Sequence, residues 1–199
     1  MKTALDSFAI NLLRARDLLH MHRHLVARTT GAFDASDILR AAIVLSVSAL
    51  DHFVHEIVRL GMCEVHHGQR PATRSFLAFP ITLNATRSAI AAPATASWLV
   101  ESIREAHSWQ TFQRPEKIAE AIRLVSDIAL WETVAPQLGV DPKAAKAELN
   151  AIVERRNKIA HEADMDPSFP GQRWPITPAL VEGAVDFIER LAQAIHRSL

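Results

Sequence analysis

The segment "ERRNKIAHEAD", Glu154 to Asp164, places Arg155, Arg156, Asn157, Lys158 and His161 within about two helical turns. Arginine carries five donors in a planar fork that matches a phosphate, and histidine exchanges a proton near neutral pH. Asn157 adds a neutral donor and acceptor. Together they make a set for binding and reacting at a phosphodiester. In a reaction without metal, His161 would move protons while Arg156 offsets charge developing on the phosphate oxygens.

Projected as a helix at about 100° per residue, Ala145, Leu149, Ile152, Val153, Ile159 and Ala160 fall on one face, with Arg156 near its centre. Arg155, Lys158 and Glu162 point the other way, toward water. Asn157 and His161 share a flank of the apolar stripe. A guanidinium buried without a partner costs several kcal/mol, so Arg156 requires compensation. Either a carboxylate from another helix pairs with it, for which Asp51 is the candidate, or the stripe lines a cleft or subunit seam that receives an anion. Both can hold at once. Arg156 and His161 stand five residues and about 140° apart, which does not aim both at one atom from a regular helix. The helix distorts near Ala160, the arginine reaches round, or two copies of the chain pool their residues.

Other clusters compete for chemistry. His20, His22 and His24 invite a metal reading, but zinc needs three or four ligands with a supporting shell and no further ligand is indicated. A solvated polar face is the expectation, with no metal. Cys63 beside His66 and His67 is equally incomplete as a reactive thiol. Asp51, His52, His55 and Glu56 edge an otherwise apolar helix face, and a supporting role is expected for Asp51. Trp98, Trp109, Trp131 and Trp174 read as core or seam anchors, Trp174 having base stacking as an alternative.

The elements that must position these groups are helical. Six glycines in 199 residues and apolar steps of three and four predict an all-α chain. A first helix is expected from Thr3 to about Arg28, and a second from about Ser36 to Leu60, capped by Asp34 or Ser36 and ended by Gly61. Residues 62 to 93 read as irregular, with Pro71, Pro80 and Pro93 as breakers. Shorter helices follow at Thr95–His107 and Pro115–Ala129, with another turn or two to Leu138. Asp141-Pro142 and Thr177-Pro178 each read as a cap followed by proline at the first helical position, opening the last two helices. Residues 1–199 are expected to form one domain.

Lys+Arg and Asp+Glu both number 22, so a general basic field for long nucleic acid is excluded and any such contact is a local patch. A single cysteine precludes an internal disulfide and fits a reducing compartment. The amphipathic start argues against a signal peptide, and "RAAIVLSVSALDHFV" is broken by Ser, Asp and His, against a membrane span. A cytoplasmic protein is expected.

The residues Arg156-Asn157-Lys158-Ile159-Ala160-His161 fit the R-N-x-x-x-H motif of the HEPN superfamily. The wider stretch "RNKIAHEAD", a loop and "WPITPALVEGAVDFIERLAQAI" resembles the RiboL-PSP type, and "SVSALDHFVHEIV" resembles its early helix. The likeness covers the second helix and everything from about Asp141 onward. It implies an all-α HEPN-like bundle with extra flanking helices that dimerises, bringing two motifs into one cleft. Many members are metal-independent endoribonucleases of toxin–antitoxin, anti-phage or stress systems; others have lost activity and bind a nucleotide or a partner protein. Carried over, Arg156 and His161 form the catalytic pair and Asn157 positions them; the residue pattern itself adds Asp51 as a support and Arg155, Lys158 and His55 as candidate RNA contacts. No cofactor is implied. One branch carries a tyrosine two residues after the histidine, which a partner nucleotidyltransferase modifies. Ala163 stands there, and the chain has no tyrosine, so any antitoxin must act differently, or there is none.

Overall fold

A computed structural model describes residues 1–30 and 33–199. Its elements are α1 (Lys2–Val26), α2 (Ser36–His66), α3 (Arg74–Leu77), α4 (Leu83–Ala91), α5 (Ser97–His107), α6 (Pro115–Ile122), α7 (Leu130–Leu138), α8 (Pro142–His161) and α9 (Pro178–Ser198). Among the described residues there is no strand; the sole bridge joins Met165 to Arg173. The chain is an all-α bundle.

The local signals explain where most helices begin. Asp141 Oδ1 accepts the Ala144 N–H at 2.9 Å and Thr177 Oγ1 accepts that of Leu180 at 3.3 Å, each with proline next in sequence. Thr73 and Thr82 cap α3 and α4 in the same way, within the stretch expected to be irregular. At α2 neither expected residue is the cap. Ala35 holds that position, Asp34 accepts the Ser36 N–H, and the Ser36 hydroxyl accepts from Arg40.

α2 is the axis of the bundle, packing on α1, α9, α8, α6 and α5. Ile43, Val47, Leu50, Phe53, Val54 and Ile57 are at most 1% exposed, each stabilising the fold by about 1.5–3 kcal/mol. By length and composition alone α2 is long and apolar enough to cross a membrane, a test that a buried core helix also passes, and most of its apolar residues lie within the core cluster. α1 is tied to α9 by Arg16 to Asp186 and Glu189 and by Arg23 to Glu182.

Two boundaries differ from the sequence reading. Gly61 does not end α2, which runs on to His66. A Cβ at Gly61 would lie 2.7 Å from Val125 Cγ1 and 2.8 Å from Met1 Cε, so glycine serves close approach rather than termination. The helix at Pro115 stops at Ile122, not Ala129. Residues 123–129 form a connection whose Arg123 and Leu124 carbonyls accept from Thr73 Oγ1.

Candidate functional site

α8 carries the chemistry, and its exit from the core decides how. Ala145, Leu149, Ile152 and Val153 are buried, whereas Arg156 and Asn157 are half-buried and Ala160 and His161 are exposed. The apolar stripe therefore ends one turn before the arginine. Arg156 faces a cavity of about 570 Å3, which Asn157, His161 and Val153 also line. The helix remains α-helical through His161, its last residue, and both side chains reach the same space in one chain.

Arg156 has no ion pair among the described residues. Its Nη1 donates to Asn157 Oδ1 at 3.0 Å, and its Nε is buried without a partner. Asp51 is not its counter-ion. Asp51 Oδ1 accepts the Phe112 N–H at 2.6 Å and its Oδ2 accepts from Gln113 Nε2 at 3.1 Å. The expected pairing is thus replaced by an anchor on the segment between α5 and α6. That segment is the opposite wall of the cavity: Trp109, Gln110, Thr111 and Gln113, continued by Arg114 and Lys117 at the start of α6. Arg114, Lys117 and Arg156 supply three cations, and among the described residues no carboxylate lines the space, which suits an anion.

Arg155 does not extend into water. Its Nη2 donates to Asp164 Oδ2 at 2.8 Å and to the Trp174 and Pro175 carbonyls at 3.0 and 3.1 Å. Burial pushes its guanidinium below the ordinary value, opposed by Asp164 and reinforced by Arg40. Asp164 is fully buried and also accepts from Arg40 Nε at 2.7 Å. The turn that brings it there is left-handed at Ala163 and Asp164 (φ 51° and 59°). Arg155 is consequently a brace for the loop after α8. Lys158 sits 4.8 Å from the Trp174 ring centroid, a cation–π contact that occupies one face of that indole.

His55 lies apart from the cavity around Arg156. Its Nε2 is 3.8 Å from Asp51 Oδ1 and its ring packs on Phe112 at 4.4 Å between centroids. It lines an adjacent depression that shares Gln110 and Thr111 with the first. Beneath it His107 is buried, and that burial, with His55 nearby, pushes its pKa down to about 4. His20 and His24 are exposed on α1, and among the described residues no three His, Cys, Asp or Glu side chains come together as a metal site. Burial pushes the Cys63 thiol up, away from a reactive thiolate.

The cavity and its motif lie at the end of the penultimate helix, followed by the loop and α9. A family model, RiboL-PSP-HEPN, matches residues 11–199. The chain belongs to that family. The match takes in residues 62–138, where the motif-based likeness did not reach, so this HEPN domain includes α3 to α7 as well as the motif helix. No curated protein and no solved structure matches the chain. Membership points in general to an RNA-related or nuclease role.

Sequence reasoning missed Trp109, Gln113, Arg114 and Lys117 as members of the site, and Arg40 as the second brace of Asp164. Arg40 had a signal: like Arg156, it stands within an apolar helical face, beside Leu39 and Ile43.

Proposed function

We propose that this HEPN protein is a metal-independent endoribonuclease, working as a homodimer in a toxin–antitoxin or anti-phage setting. The observation that carries the reading is the convergence of Arg156, Asn157 and His161 on one cationic cavity that no carboxylate lines among the described residues. In the reaction, the ribose 2′-oxygen attacks the adjacent phosphorus and the bond to the 5′-oxygen breaks. His161 accepts the 2′-hydroxyl proton and imidazolium returns one to the departing 5′-oxygen. Arg156 offsets charge on the non-bridging oxygens, held toward them by Asn157. The products are a 2′,3′-cyclic phosphate and a 5′-hydroxyl.

The dimer is supported by the state of His161, which is exposed and without a hydrogen-bond partner among the described residues. A second copy would supply the group that orients it. An apolar groove lined by Val44, Leu45, Ile159 and Met165 lies beside the same end of α8 and offers a seam. The unpartnered His161 also favours a second reading, a non-catalytic module that binds a nucleotide or a partner protein.

The test is cleavage of total RNA and tRNA in EDTA by wild type, Arg156→Ala and His161→Ala, each shown to be folded. Cutting by wild type alone, ending in cyclic phosphate, is the expected result. DNA cut equally well, or activity abolished by chelator, overturns the mechanism. A His161→Ala protein that keeps its cellular effect selects the binding module. Mixing the two variants separates the dimer models: activity returns only if Arg156 of one copy works with the partner's His161.

A further inference from the structure

Trp109 is 79% exposed, whereas Trp131 is buried and Trp98 and Trp174 are half-buried. It was expected to be a core or seam anchor, and it is not a core one. An indole exposed to water is costly, and the backbone that carries this one is pinned. On one side of it Ser108 Oγ donates to the Glu105 carbonyl, and Gln110 Nε2 donates to that of Ala106 at 3.0 Å. On the other, Phe112 is buried and its N–H is bound by Asp51. A segment fixed at both ends thus presents a bare aromatic face at the rim of the cavity that contains Arg156.

Trp109 lines this cavity with Gln110, Thr111, Arg114 and Lys117, the last engaged to Glu120, and it also borders a depression with Phe79, Pro80 and Glu120. A protein seam is depleted of charge at its centre. An aromatic face beside cations and amides is the composition that receives a nucleotide, base on the ring and phosphate on the cations.

We propose that Trp109 is the stacking platform for an unpaired base of the bound RNA, with Arg114 on a neighbouring phosphate. This makes single-stranded RNA the substrate class, and it rests on the reading of the cavity as an RNA site. Base stacking needs a splayed nucleotide, which a duplex does not offer, so the platform selects single strands and loops. The pinned backbone lowers the ordering cost of binding.

The experiment measures affinity apart from cleavage, by anisotropy of a short labelled single-stranded RNA on the His161→Ala protein and of the DNA of the same sequence on wild type. Adding Trp109→Ala is expected to weaken both by about tenfold, while Trp109→Phe keeps most of the affinity. A duplex of that sequence should bind more weakly and be indifferent to Trp109. The proposal is overturned if Trp109→Ala binds like its parent, or weakens single strand and duplex equally. It is also overturned if Trp109→Ala changes only the oligomer mass in sedimentation, which would make Trp109 a seam residue. Binding through Trp109 without cleavage by wild type would defeat the nuclease and keep the platform; cleavage indifferent to Trp109 would do the reverse.

Discussion

Asp51 Oδ1 and the backbone N–H of Phe112, 61 residues apart, lie 2.6 Å from each other, and that bond holds the wall of the cavity that faces Arg156. The carboxylate also takes Gln113 Nε2, so α2 supports the site from outside rather than by neutralising the arginine. Asp51→Ala should therefore lower stability by about 2 kcal/mol, since it leaves a buried donor unmatched, and should reduce RNA affinity by loosening residues 109–113. Asp51→Asn keeps an acceptor for Phe112 and should recover most of both. Thermal unfolding beside binding tests this; an Asp51→Ala protein unchanged in both would refute it.

The neighbouring arginines should separate cleanly. Arg155 and Arg40 share the fully buried Asp164, so Arg155→Ala is expected to cost about 3 kcal/mol of folding stability. Arg156 has no ion pair among the described residues, and Arg156→Ala should cost well under half of that while removing cleavage. Urea unfolding of the two variants, run with the cleavage assay, decides. Equal destabilisation would mean that Arg156 is a structural residue.

Gly61 in the middle of a helix is ordinarily a weakness, and alanine would be the stabilising replacement. Here the added methyl would come within 2.9 Å of Val125 Cβ and 2.7 Å of its Cγ1. Gly61→Ala should therefore destabilise by about 1–3 kcal/mol through overpacking. Thermal unfolding of Gly61→Ala checks this, and a variant as stable as wild type would refute it.

His107 sets a pH dependence. Its folded pKa lies at about 4, below the ordinary 6.5, because burial disfavours the imidazolium. The unfolded chain thus binds the extra proton first. Its contribution is fully present above pH 6.5 and is lost as pH falls from 6.5 toward 4, a change of about 3 kcal/mol. Denaturant unfolding at pH 7 and pH 5 should show the fall, and His107→Phe should flatten it.

Much of the helical layout was readable in the residue pattern, because helix formation is governed by neighbours three and four apart. Asp141-Pro142 and Thr177-Pro178 marked where α8 and α9 start, and the motif told which segment to examine. The closure of Arg156 and His161 on one cavity was one of three outcomes the residue pattern left open: the angular projection set them about 140° apart, and whether the arginine reaches round depends on where the core ends. The short caps at Thr73 and Thr82 were local signals passed over among prolines.

Sequence by itself determined the all-α class, the family motif and the polar set at residues 155–161. Tertiary structure decided their roles: Arg155 became a brace, Arg156 a cavity-lining cation with no ion pair among the described residues, Asp51 an anchor for Phe112, and Trp109 an exposed ring on the cavity rim. The physical reason is separation along the chain. Periodicity and capping act within one or two turns, whereas Asp51 meets Phe112 and Arg40 meets Asp164 only once α2, the segment after α5 and the turn after α8 have packed together.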